Sequence, residues 1–103
     1  MENRRALINS AKDNVATALQ EVDAGSTVAA RLGREVVQVQ AQEKIPFGFK
    51  IAIRDIPKAG EVYKYGEVIG RASRDIKEGD LVHVQNVEGI RGRGDLTAGG
   101  DQR

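Results

Sequence analysis

One pattern is written twice in this chain. "RDIPKAGEV" begins at Arg54 and "RDIKEGDLV" at Arg74. Each runs Arg-Asp-Ile, a short polar link, glycine, an acidic residue and a return to apolar residues, the first copy with one extra residue before its glycine. Such a segment must reverse direction. Its glycine reaches dihedrals closed to other residues, and the apolar run that follows starts a new strand. Between the copies, "YKYGEVIGRAS" sets Gly66 and Gly70 either side of Val68 and Ile69. From Phe49 to Val87 the chain is therefore expected to form short strands doubled back at glycines. The 12 glycines and 2 prolines suit many tight corners, and an aromatic content of 4% leaves Val, Ile, Leu and Ala to build the core.

Upstream, "RRALIN" is a short apolar run between polar residues and reads as a first strand. In "SAKDNVATALQEVDAG", Val15, Leu19 and Val22 fall at i, i+4 and i+7, the spacing of one helical face. Asp13 is placed to cap such a helix by accepting from its free N–H groups, and Gly25 to end it in a left-handed conformation. The spacing predicts one helix over about Asp13 to Val22. "REVVQVQAQ" alternates, with Val37, Val39 and Ala41 on one side and Gln38, Gln40 and Gln42 on the other, as in a half-buried strand. "KIPFG" breaks the pattern through Pro46 and Gly48. "FKIAIRDI" resumes it, with Phe49, Ile51 and Ile53 on one face. After Ile90, "RGRGDLTAGGDQR" is rich in glycine and charge. The expected organisation is a domain over 1–90 and a flexible tail over 91–103.

A chain of 103 residues is one domain with a modest core. Its net charge of +1 and few aromatics argue against a nucleic-acid binder. No apolar run approaches the ~18 residues of a membrane span, and the N-terminus lacks the apolar core of a secretory signal, so a cytoplasmic protein is expected. The absence of cysteine removes disulfides, thiolate metal sites and thiol nucleophiles together. With 1 histidine, even a zinc site would need carboxylates or another chain, so no cofactor is expected on this chain alone.

That histidine, His83, lies in "LVHVQN". Strand alternation puts Leu81, His83 and Gln85 on one face and Val82 and Val84 on the other, the second pair buried. His83 then faces a groove or solvent, where it serves either as a catalytic candidate or as an ordinary hydrogen-bonded residue. Asp55 and Asp75 hold matching places in the repeated pattern. A carboxylate pair could do acid–base work, but aspartate at a strand end more commonly accepts from turn N–H groups. Lys50, Lys64, Arg54 and Arg71 lie in or beside strands. They are either solvated or able to bind a carboxylate or sulfonate. Gly66 to Gly70 does not fit a phosphate loop, because GxxxxGK[ST] is absent. "RGD" at Arg93–Asp95 is a very weak adhesion match.

Taken together, "DNVATAL", "IPFGFKIAI", "YKYGEVIGRASRDIKEGDLVHVQN" and "RGRGDL" resemble the SAF-type domain of altronate and galactarate dehydratases, over about Asp13 to Leu96. The resemblance implies a mostly β, β-clip (SAF-type) fold of short bent strands, here with one N-terminal helix. In that family the domain is either the N-terminal part of a long sugar-acid dehydratase or a separate small subunit, as in sulfolactate sulfo-lyase and split altronate dehydratases. This chain has no room for the large part, so it resembles the separate subunit. The implied partner is a large dehydratase-type catalytic subunit carrying a divalent metal such as iron, and the implied substrate is a small hydroxy acid. The implied reaction is β-elimination. Association with further copies of the same chain stays open. Neither a nucleic acid nor a membrane is expected as a partner.

Lys50, Lys64, Tyr65, Gly66, Gly70, His83 and Asn86 match the family pattern. Lys50, Lys64, His83 and Asn86 are the candidate substrate-binding residues, with His83 the catalytic candidate. The family usually reads histidine where this chain has Phe49 and Gln85. Phe49 cannot donate, accept or ligate, and glutamine cannot shuttle a proton near neutral pH. A non-catalytic binding or regulatory module is the alternative. "IRGRGDL" is a candidate docking segment for the large chain.

Overall fold

Short strands with two apolar faces need an apolar layer on each side. The computed structural model describes residues 4–89 and arranges them in that way. Nine strands lie among the described residues: β1 (Arg4–Leu7), β2 (Val15–Ala18), β3 (Thr27–Leu32), β4 (Glu35–Gln40), β5 (Lys50–Ala52), β6 (Glu61–Lys64), β7 (Glu67–Ala72), β8 (Leu81–Val82) and β9 (Val87–Glu88). One sheet has the order β4-β3-β1-β2-β5-β8 and the other β6-β7-β9. The β1–β3 pair is parallel and the other ladders are antiparallel. The mostly β expectation holds.

Successive side chains on a strand point to opposite faces. On β2, Ala16 and Ala18 enter one core and Val15 the other. On β5, Ile51 enters the first core and Ala52 the second. The first core also takes Ile8, Val22, Val28, Val39 and Ile45, and the second takes Ile56, Val62, Ile76 and Val82. The central strands of the large sheet are thus covered on both sides.

The helix expected over Asp13 to Val22 is not present. Residues 15–18 are β2, and Asp13 is a buried acceptor rather than a helix cap. A strand buried on both faces shows no apolar–polar alternation, so its apolar residues can mimic helical spacing. Leu19, which the helix would have buried, is exposed. The strand expected at Val37, Val39 and Ala41 is present, but β4 is a sheet edge. Val39 and Ala41 are buried while Val37 is exposed.

The repeated pattern is a paired turn. Lys77–Asp80 and Pro57–Gly60 each close with an N–H bond from the fourth residue to the first carbonyl, at 2.9 and 2.8 Å. The third residue has positive φ in both: Gly79 at 93° and Ala59 at 73°. This is the type II arrangement, which favours glycine there. The copies therefore align residue for residue. The extra residue before the first copy's glycine is therefore no insertion: Ala59 occupies the position of Gly79, and Gly60 that of Asp80.

A second such pair lies at Asp23–Ser26 and Pro46–Phe49, with Gly25 at 87° and Gly48 at 86°. The residue before each turn is apolar and buried: Val22, Ile45, Ile56 and Ile76. Val22 and Ile45 exchange two backbone bonds, both 2.9 Å, and Ile56 and Ile76 exchange two, both 2.8 Å. Each turn pair pins one core. The Asp55 carboxylate accepts from Glu78 N–H and Asp75 from Lys58 N–H, both at 2.8 Å, so each holds the opposite turn. That is the structural role expected for them. In the other pair the matching positions are Glu21 and Lys44, which form a salt bridge of 3.1 Å.

The expected tail over 91–103, with its docking motif and the Arg93–Asp95 tripeptide, lies outside the described residues. No helix among the described residues is long and apolar enough to cross a membrane.

Candidate functional site

Asp13 and Asn14 connect the two sheets. The Asp13 side chain, 1% exposed, accepts from Gly66 N–H at 2.8 Å and from the Tyr65 and Ser10 N–H groups at 3.1 Å. Asn14 accepts from Tyr63 N–H at 2.8 Å and donates to the Glu61 carbonyl at 2.9 Å. Tyr65 and Gly66 form the two-residue loop between β6 and β7, with φ of 59° and 75°. Positive φ at both central residues is a type I′ hairpin, whose twist matches that of its strands. Asp13 thus fixes a loop in which a tyrosine holds a conformation unusual for a side chain of its size.

The fixed hairpin delivers Lys64 to β2. The Lys64 ammonium donates to Asn9 Oδ1 and to Thr17 Oγ1, both at 2.8 Å, and lies 4.2 Å from the centre of the Tyr65 ring. Thr17 pairs with Lys50 across the β2–β5 ladder, and paired residues share a face. Lys50 therefore approaches Lys64. Its pKa is pushed below the ordinary lysine range, first by partial burial and then by the positive charge of Lys64. A base whose folded pKa is lowered costs stability in full below that lowered value, and the cost fades as pH rises through it toward 10.5. Lys50→Met is therefore expected to raise Tm by a few degrees at pH 7 and to lose that gain above about pH 11. A gain that persists at high pH would mean that packing, and not charge, is its source.

His83 lies elsewhere. Its ring stacks on Phe49, centroids 4.7 Å apart and planes tilted by 49°. Phe49 precedes Lys50 and packs against the first core, whereas Lys50 shares a face with Thr17 on the other side. The structure thus brings Lys50 and Lys64 together but turns His83 to the opposite face of β5. Strand β8 stops at Val82, and residues 83–86 form a turn. The expected buried pair is therefore corrected: Val82 is buried and Val84 is 79% exposed.

Asn86 holds this turn. Its Oδ1 accepts from His83 N–H at 3.0 Å, and its Nδ2 donates to the Leu81 carbonyl at 2.8 Å. Gln85 donates to the same carbonyl at 3.2 Å. The Asn86 amide is thus committed to backbone, which places His83. Neither ring nitrogen of His83 has a hydrogen bond among the described residues. Two cavities of about 180 and 90 Å³ include none of the four candidate residues in their walls.

Asn9, Thr17 and Asp13 belong to this site, although nothing local in the sequence marks them as part of it. "NSAKDN" reads locally as a helix cap. Among the described residues no three His, Cys, Asp or Glu side chains gather as a metal site requires.

The described residues thus form a two-core β domain with a cation pair, Lys50 and Lys64, on one face of β5 and an exposed imidazole against the other. The family model for the altronate/galactarate dehydratase SAF domain matches residues 4–89, and the chain belongs to that family. The chain is 34% identical over 85 residues to the (2R)-sulfolactate sulfo-lyase subunit alpha of Chromohalobacter salexigens, covering 80% of this chain and 90% of that protein. It is 36% identical over 77 residues to altronate dehydratase of Bacillus subtilis, covering 75% of this chain but 15% of that protein. A shorter match, 52% over 40 residues, is to the L-threo-forming galactarate dehydratase of Escherichia coli, covering 39% of this chain and 8% of that protein.

Proposed function

We propose that this chain is the SAF-domain subunit of a heteromeric hydro-lyase or sulfo-lyase that acts on a small hydroxy acid such as altronate or sulfolactate. The observation that carries this reading is the match along 90% of a protein named as one subunit of a lyase. A large dehydratase-type chain abstracts the proton next to the carboxylate. The C–H electrons form the new double bond, and water or sulfite leaves from the neighbouring carbon. Any metal required belongs to that large chain. Lys50 and Lys64 hold the acid group of the substrate, while the Asn86 turn presents His83 to the covering surface. A cytoplasmic location goes with this reading.

The test is a native pull-down of the tagged chain from its own cells, with bound proteins identified by mass. A large dehydratase-like chain in fixed stoichiometry is the expected result. In that complex His83→Ala is expected to lower turnover at least about tenfold, the scale of losing a positioned group. A chain that elutes without such a partner sinks the reading.

The stacking of Phe49 on His83 favours a second reading, a binding or regulatory module that keeps the fold without the chemistry. The double change Phe49→His and Gln85→His separates the two. Higher turnover marks a decayed site, and unchanged turnover in an active complex marks a site adapted to another substrate.

A further inference from the structure

We propose that Lys50 and Lys64 form a site for one small oxyanion, a carboxylate or sulfonate, on the face of β5 opposite His83. This deepens the reading above, which assigned these lysines to the substrate's acid group. It also separates that role from His83.

Charges drawn out of water are normally paired. The Lys44–Glu21 ion pair among the described residues involves neither of these two lysines. Lys64 spends two of its three donors on neutral acceptors, Asn9 and Thr17, at 2.8 Å each. These bonds and the Tyr65 ring hold the ammonium in place without neutralising it. Lys50 is half-buried and feels that charge, and its ammonium has no hydrogen bond or ion pair among the described residues. The pair therefore bears a desolvation cost and a like-charge repulsion that no ion pair among the described residues relieves. A bound oxyanion relieves both, taking the three donors of Lys50 and the remaining donor of Lys64.

The backbone points the same way. Tyr65 has φ of 59°, a conformation a tyrosine rarely adopts, and Asp13 holds it there. Strain that the surrounding structure maintains is concentrated at functional sites. Here its effect is to set the Tyr65 ring beneath the Lys64 ammonium.

The test is a titration of the full chain, at fixed ionic strength, with malonate, sulfoacetate and neutral glycerol, followed by the lysine Cε–Hε signals in NMR. Saturable shifts confined to Lys50 and Lys64 are expected with malonate or sulfoacetate and none with glycerol. The stronger binder tells carboxylate from sulfonate. Lys50→Met is expected to weaken binding at least about tenfold, the scale of one charge-assisted hydrogen bond, and Lys77→Ala to leave it within about twofold. Shifts spread over the surface lysines, no saturable shift, or equal binding by Lys50→Met would each overturn the site. The titration needs no second chain. Anion binding without recruitment of a large subunit keeps this site and removes the lyase reading, while recruitment without anion binding does the reverse.

Discussion

Asp13→Ala is expected to lower unfolding free energy by about 3–5 kcal/mol, the range for leaving buried charged hydrogen-bond networks broken. The carboxylate accepts three backbone N–H groups, from Ser10, Tyr65 and Gly66. Hydrogen bonds to a charged acceptor contribute about 1.5–3 kcal/mol each. They do not sum in full, because the hairpin loop is partly exposed and water can reach some of the released donors. Alanine also leaves Tyr65 at positive φ with nothing to hold it, so the loop is expected to relax. Asn14 still joins β6 to the N-terminal segment, so the domain folds and the loss stays measurable. Asp13→Asn keeps one acceptor oxygen and should cost about 1–3 kcal/mol. Urea unfolding gives these energies, and hydrogen exchange locates them. The Tyr65 and Gly66 amides should exchange faster in Asp13→Ala while the amides of β3 and β4 keep their protection. A loss below about 1 kcal/mol, with those two amides still protected, would show that Asp13 does not hold the hairpin. The same variant bears on function, since Lys64 reaches Thr17 only from this hairpin. Anion affinity should fall with it.

The fold was legible where sequence period and structure share one cause. The glycine turns at Gly79 and the strand at Ile51 and Ile53 follow from local rules of dihedral freedom and alternation. The second turn pair was equally present in the sequence, as Val22-x-x-Gly25 and Ile45-x-x-Gly48 beside Ile76-x-x-Gly79. It was hidden because Val22 and Gly25 also fitted a helix and its stop. Ala59 hid the alignment of the first pair, since the eye follows the glycine and Gly60 is one residue late. No local rule shows that β2 is buried on both faces, because that depends on β5 and the small sheet arriving from later in the chain. The site has the same limits. Lys50 and Lys64 were visible as cations on strands, but their meeting depends on the Thr17 register and on Asp13 some 50 residues from the hairpin it holds. His83 was expected on the face of a strand. The Asn86 amide competes for its backbone and ends β8 first, which is why Val84 emerges into solvent.

Gly79→Ala is expected to cost about 3 kcal/mol or more, and its equivalents in the other turns much less. All four turns place their third residue at positive φ, between 73° and 93°. A side chain in that conformation costs about 1–2 kcal/mol. Space then separates them. A Cβ on Gly25 or Gly48 meets nothing within 4 Å, whereas on Gly79 it would collide with the Gln40 carbonyl oxygen. That oxygen is backbone and cannot swing away. The turn cannot retreat either, since Gly79 N–H donates to Ala52 at 2.8 Å and its carbonyl accepts from Gln42 N–H at 2.9 Å. Relief requires breaking one of these bonds or moving the end of β4 away from the Gly79 turn. In a domain of this size the loss corresponds to a Tm decrease of roughly 12–24 °C. Gly25→Ala and Gly48→Ala should cost only the conformational part, about 1 kcal/mol. Ala59→Gly should stabilise by about 0.5–1 kcal/mol, because relief of positive φ exceeds the added freedom of the unfolded chain. Thermal unfolding of the four variants measures the order directly. If Gly79→Ala matched Gly25→Ala, the close approach to Gln40 would carry no energy, and the two turn pairs would be joined more loosely than their hydrogen bonds indicate. If Ala59→Gly destabilised, the residue-for-residue alignment of the repeated turns would not describe the energetics at that position.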